Sequence, residues 1–164
     1  MHLTLLRHAT AEPWNAGGDD YGRELVEKGM NEARAAGKFS KLQGWEPDLV
    51  LHSPLVRARQ TAELFSLQAG LSEPTEAKFL ASGMNPEAGA TELRDYLKLG
   101  HLVIVGHEPD FSGLIAFLTG FPQGNFEVKK ASLWGLECNR FAGGSAWLKY
   151  SILPKQMRPL TPEV

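Results

Sequence analysis

The sequence predicts a three-layer α/β/α sandwich built on a mostly parallel sheet with an antiparallel edge. Three observations carry this reading. Short apolar runs alternate with segments of helical periodicity from Leu3 to about Thr119. Beyond Phe126 the alternation gives way to two strand-like segments joined by a glycine-rich turn at Ala142-Gly143-Gly144. The 164 residues contain no repeat, low-complexity tract or linker, so a single domain, 1–164, is expected.

Taken in order, Leu3 to Leu6 is short and apolar and reads as a buried strand. Asn15 to Gly22 is a polar, glycine-rich loop. Glu24 to Leu42 places Leu25, Met30, Ala33, Ala36 and Phe39 near helical spacing, which predicts an amphipathic helix. Asp48 to His52 is a second strand. Ser53-Pro54 then opens a helix running to about Ala69, with Ser53 as N-cap and Pro54 in the first position. Thr75 to Leu80 is a third strand, and Asn85-Pro86 begins a helix ending near Leu99-Gly100. His101 to Val105 is the clearest buried strand, and Pro109 to Thr119 reads as helix. Val128 to Cys138 and Ala146 to Ile152 form the closing hairpin, with Trp134 and Trp147 in its core. The tail after Pro154 is expected to be extended over the surface.

Composition narrows the function. A net charge of −2 gives no global attraction to nucleic acid or an anionic membrane, so any anion must be held by a local cluster. The single Cys138 excludes an internal disulfide framework and a cysteine-rich zinc site, and fits a reducing compartment. With no secretory leader and no membrane-spanning run in the sequence, a cytoplasmic location is expected.

Three strand ends share one design. The first delivers Arg7-His8, the second Ser53-Pro54-Leu55-Val56-Arg57, the third Gly106-His107-Glu108-Pro109. Ligands of open parallel sheets bind beyond the carboxyl ends of the strands. If the three strands are neighbours, Arg7, His8, Arg57 and His107 converge, with helix N-termini aimed at the same place. Two guanidiniums and two imidazoles suit a small dianion, most simply a phosphoryl group. Each piece alone is commonplace; their coincidence is the signal.

The segments "LLRHATAE", "SPLVRARQTAEL" and "VGHEPDFS" resemble the signature segments of the histidine phosphatase superfamily, whose fold is that of phosphoglycerate mutase. Arg23 to Gly29 resembles a looser fourth segment. In length and in its late "LP-K-x-M" tail the chain looks most like the small SixA-type phosphohistidine phosphatases. The resemblance implies that His8 is the nucleophile and that Arg7, Arg57 and His107 form the phosphate pocket. Arg23 would lie on the substrate side, and Ser53 and Glu108, within the second and third segments, are placed there with it. No cofactor or metal is implied, because the arginines supply the positive charge.

The chain departs from the family pattern at three places. Ala9 stands where glycine is usual, and Val26 where a threonine often caps the helix. Ala81-Ser82-Gly83 offers no carboxylate where larger members hold a glutamate acid. An alkoxide leaving group needs a proton donor, whereas a protonated imidazole departs easily. The expected activity is therefore removal of phosphate from a phosphohistidine on a protein, through a phosphohistidine formed on His8. A phosphotransfer domain or a phosphocarrier protein would be the partner. Two alternatives stand beside it. One is a phosphatase for small phosphomonoesters using Glu12, Asp19, Glu108 or Asp110 as acid. The other is a phosphate-binding module without turnover.

Overall fold

The computed structural model describes residues 1–15 and 17–157. The elements in chain order are β1 (His2–Arg7), α1 (Glu27–Leu42), β2 (Leu49–His52), α2 (Val56–Ala69), β3 (Thr75–Glu76), α3 (Pro86–Leu93), β4 (His101–Gly106), α4 (Asp110–Thr119), β5 (Leu133–Cys138), β6 (Ala146–Ile152) and α5 (Pro154–Met157). Short 3-10 turns at Lys78–Leu80 and Arg94–Tyr96 interrupt the connections.

The six strands form one sheet in the order β3-β2-β4-β1-β5-β6. β3, β2, β4 and β1 run parallel; β5 pairs antiparallel with β1 and β6 with β5. Alternate side chains along each strand feed two cores, as the two-residue period of a strand requires. Leu6, Val50, Val103 and Val105 face Ala36, Phe39, Ala62 and Phe65 of α1 and α2. Leu3, Leu5, Leu51, Leu102 and Ile104 face Leu93, Phe111, Leu114 and Leu118 of α3 and α4. The predicted three-layer class is thus the observed one.

Several boundaries differ from the sequence reading, each for a local reason. α1 begins at Glu27, not Glu24, because Leu25 pairs across to Ala11, and the Val26 N–H donates to the Thr10 carbonyl at 3.1 Å. α2 begins at Val56 with Leu55 as its N-cap; the Ser53 hydroxyl accepts from the Leu55 N–H at 3.3 Å, just ahead of the helix. Only Thr75–Glu76 of the third predicted strand is strand. α3 stops at Leu93 and tightens into 3-10 bonds, with the Leu97 and Leu99 N–H groups donating three residues back. The closing hairpin starts at Leu133, because Lys129 to Ser132 turns, with Ala131 at a positive φ of 55°. Trp134 is buried as expected, but Trp147 is 59% exposed. The tail does not run extended from Pro154: residues Pro154–Met157 form one helical turn, anchored by the fully buried Met157. Its remainder, 158–164, lies outside the described residues.

Candidate active site

Strand register sets the site. Arg7 lies opposite Gly106, and His52 opposite Val105, so β1, β2 and β4 end at one level. The next residue of each strand is His8, Ser53 or His107. The His8 N–H donates to the Gly106 carbonyl and the Ser53 N–H to the Val105 carbonyl, each at 2.9 Å. The convergence expected from the sequence is therefore a consequence of adjacent parallel strands.

His8 is buried, and its ring is fixed at both nitrogens. Nδ1 lies 2.8 Å from the Ala9 carbonyl, a partner that can only accept, so Nδ1 carries the proton. Nε2 is left with its lone pair, which accepts from Arg57 Nε at 3.3 Å. Burial lowers the His8 pKa to about 3; the bond to Ala9 opposes the shift, while His107, Arg57 and Arg7 add to it. The ring is thus neutral at pH 7 and presents an unprotonated nitrogen, the form that can attack phosphorus. The backbone holding it is tied down in turn. The Ala9 N–H donates to Thr61 Oγ at 3.0 Å, and Thr61 Oγ donates to the Arg57 carbonyl at 2.7 Å. Ala9, in place of the family glycine, is fully buried and does not appear among the positive-φ residues.

His107 lies with its ring centroid 5.3 Å from that of His8. Its Nε2 is hydrogen-bonded to Ser53 Oγ at 2.7 Å, and the same hydroxyl accepts from the Leu55 N–H at 3.3 Å. Ser53 therefore orients His107, rather than standing free for a ligand. Burial, followed by the charge of Arg57, lowers the His107 pKa to about 4. Arg7 Nη1 donates to the Val128 carbonyl at 2.8 Å. Among the described residues four buried side-chain polar atoms have no partner, and two of them, Arg7 Nε and His107 Nδ1, belong to this cluster. An unpaired buried donor costs about 1–3 kcal/mol, and a phosphoryl oxygen is a partner that both can share. Arg59 points away, pairing with Glu63 at 3.1 Å, as its position two residues from Arg57 predicts.

The sequence reading missed Asp20. Arg57 is 3% exposed, yet Nη1 donates to the Asp20 carbonyl at 2.8 Å and Nη2 to Asp20 Oδ2 at 3.3 Å. Asp20 Oδ1 accepts from Arg23 Nε and lies 2.8 Å from Arg23 Nη2. Arg23 also donates to the Glu12 carbonyl at 2.8 Å. Arg23 thus reaches the site through Asp20, whose carboxylate engages donors of both Arg57 and Arg23. Burial pushes the Asp20 carboxyl upward, but the hydrogen bond from Arg23 and the charges of Arg57 and Arg23 outweigh it, so its pKa falls below the ordinary value. The one available signal was the i,i+3 spacing of Asp20 and Arg23 in a loop whose path the sequence does not encode.

The four carboxylates weighed as acids all have backbone partners. Glu12 accepts from the Glu24 N–H, Asp19 from Tyr21, Glu108 from Ser112 and Asp110 from Gly83. Glu108 closes the first turn of α4 at 2.8 Å from the Ser112 nitrogen, and its charge acts on Arg7. Asp110 is buried, which raises its pKa, while the N–H groups of Gly83 and Met84 pull the other way. No group of three or more His, Cys, Asp or Glu side chains is arranged to hold a metal ion among the described residues.

Fold and site together define an α/β protein with arginines gathered around a neutral histidine at the carboxyl edge of its sheet. The sequence profile of the histidine phosphatase superfamily (branch 1) matches residues 3–81. An uncharacterized protein of Picosynechococcus is 31% identical over 145 residues, covering 83% of this chain and 84% of that protein. The chain belongs to the histidine phosphatase superfamily. A 2,3-bisphosphoglycerate-dependent phosphoglycerate mutase of Methylobacterium radiotolerans is 40% identical over 74 residues, 43% of this chain but only 34% of that longer protein. Among solved structures, the protein histidine phosphatase SixA complexed with tungstate superposes with a TM-score of 0.86 at 21% identity, covering 96% of this chain and 100% of that one. The alpha-ribazole phosphatase of Shigella flexneri gives a TM-score of 0.74 at 21% identity, covering 94% and 97%. At these identities the superpositions speak for the fold.

Proposed function

We propose that the protein is a phosphohistidine phosphatase, removing phosphate from a histidine on a partner protein through a covalent intermediate on His8. The observation that carries the reading is the fixed tautomer of His8: Nδ1 is committed to the Ala9 carbonyl, and the Nε2 lone pair faces Arg57. Nε2 attacks phosphorus in line with the leaving nitrogen. Arg57, Arg7 and His107 hold the equatorial oxygens, where charge spreads in the transition state. Arg57 is released from Asp20 as the phosphoryl group takes over its donors. Water then attacks the phosphohistidine, and Nε2 regains its lone pair. The positive charge that stabilises these steps comes from arginine, so chelators are expected to have no effect.

Substrate class follows from proton supply. Asp20, the carboxylate in contact with Arg57, is held ionised, and Glu12, Asp19, Glu108 and Asp110 each accept a backbone N–H group. With no positioned acid, a good leaving group is required. Transfer between two imidazoles is near thermoneutral and needs only a protonated leaving ring. The resemblance to SixA in fold and in signature segments supports the same reading. The partner would be a phosphotransfer domain or phosphocarrier protein.

Hydrolysis rates against leaving-group pKa test the reading. Phosphohistidine and aryl phosphates should be cleaved, with alkyl phosphates such as phosphoserine far behind. A flat dependence would reveal a general acid, with Glu108 the first suspect, and would favour the small-phosphomonoester reading.

A further inference from the structure

A groove of about 640 Å³ has Arg7 in its lining, together with Lys28, Lys129, Lys130 and Lys155. Five cations in one groove of a chain whose net charge is −2 is a local concentration, not an average property.

The two acids in the groove offset two of its five cations. Glu32 Oε2 accepts from both the Thr10 N–H and the Thr10 hydroxyl, at 3.0 and 2.8 Å, and its Oε1 lies 3.8 Å from Lys28. Glu127 lies 3.0 Å from Lys129, leaving Lys130 and Lys155 without an acidic partner among the described residues. Their positions are built. Lys130 sits in the turn forced by the positive φ of Ala131, whose N–H donates to the Arg7 carbonyl at 3.0 Å. That turn also supplies the Val128 carbonyl to Arg7. Burial lowers the Lys130 pKa, and the charges of Arg7, Arg23 and Lys28 lower it further, which places it in the same field as the pocket. Lys155 rides on α5, pinned by the buried Met157.

We infer that this groove docks the substrate protein, taking carboxylates that flank its phosphorylated histidine against Lys130 and Lys155 while the phosphoryl group enters between Arg7 and Arg57. The inference rests on the phosphohistidine reading and adds to it a substrate surface that is acidic on one side of the reacting histidine.

Two synthetic peptides test it, each with a central phosphohistidine, one flanked by glutamates and one by glutamines. The wild type should cleave the glutamate peptide with a kcat/KM about tenfold higher at low salt, and the ratio should shrink as salt screens the contact. In Lys130→Gln/Lys155→Gln the ratio should fall to near one. Damage to the fold would lower both peptides together and leave the ratio intact, so the ratio isolates docking. A wild-type ratio of one, or a preference that survives the double substitution, overturns the inference alone. Failure to cleave either peptide while an aryl phosphate is hydrolysed overturns the phosphohistidine reading and the docking surface with it.

Discussion

Replacing Arg57 with alanine removes the group on which the site converges. Arg57, 3% exposed, donates from Nε to His8 Nε2 at 3.3 Å and holds Asp20 through Nη1 and Nη2. Two consequences follow. The Nε2 lone pair loses its orienting donor, and the equatorial oxygens lose a charge-assisted fork. Loss of one preorganised donor to a developing anion costs about 2–4 kcal/mol of transition-state stabilisation, or about 30-fold to 1,000-fold in kcat/KM. Arg57→Lys should recover little, because a single ammonium cannot serve Nε2 and two oxygens together. The control is Arg59→Ala, two residues along the same helix, where only an exposed pair with Glu63 is lost, worth up to about 1 kcal/mol of stability. Hydrolysis of an aryl phosphate under initial-rate conditions reads both variants. Equal losses in the two, or a loss below about fivefold in Arg57→Ala, would refute the placement of Arg57 at the reacting phosphorus.

Three more outcomes follow from the same geometry. Asp20→Asn removes the carboxylate that competes for Arg57 and Arg23; inhibition by orthophosphate should tighten about twofold to fivefold, the scale of a half-exposed ion pair, and weaker inhibition would mean that Asp20 serves the pocket instead. Acid should destabilise the fold through its buried histidines. His8, His107 and His101 have folded pKa values of about 3, 4 and 4, below the ordinary value of 6.5, so the unfolded chain binds more protons as pH falls and stability is lost from about pH 6.5 downward. Chemical unfolding at steps between pH 7 and 4 checks this, and constant stability across that range would contradict it. Gly29→Ala drives a methyl group into the backbone carbonyl of Thr10, in the loop that carries His8; thermal unfolding should drop by several degrees, whereas an unchanged Tm would mean that the loop moves freely.

The strands were legible as short apolar runs, and because β1, β2 and β4 are parallel neighbours, the basic residues at or just beyond their ends fall at one edge. Arg7, His8, Arg57 and His107 could therefore be gathered before any coordinates. Helix starts were less legible, because a cap competes with tertiary partners. Ser53-Pro54 reads as a cap, but the helix begins only at Val56, and the Ser53 hydroxyl bridges His107 and the Leu55 N–H. Glu24-Leu25 fits the helical period of α1, but pairs with the strand-end loop at Ala11. Lys129 to Ser132 looks like strand, yet the Ala131 N–H is claimed by the Arg7 carbonyl, and the chain turns. Asp20 was invisible for a different reason: it enters the pocket from a glycine-rich loop, where no periodicity fixes the path. Ala81-Ser82-Gly83 carries no carboxylate, while the carboxylate that meets the arginines, Asp20, comes from another loop.

The most direct measurement is the fate of the phosphoryl group. Rapid mixing of the protein with a labelled aryl phosphate, followed by a quench within the first turnover, should leave one phosphate per chain. Its bond should be stable in base and labile in acid, the behaviour of a phosphorus–nitrogen bond, and fragmentation should place it on His8. His8→Ala should leave no label at all. Phosphate found on a serine, an aspartate or His107, or wild-type turnover with no trapped intermediate while His8→Ala retains activity, would contradict the assignment of His8 as the nucleophile.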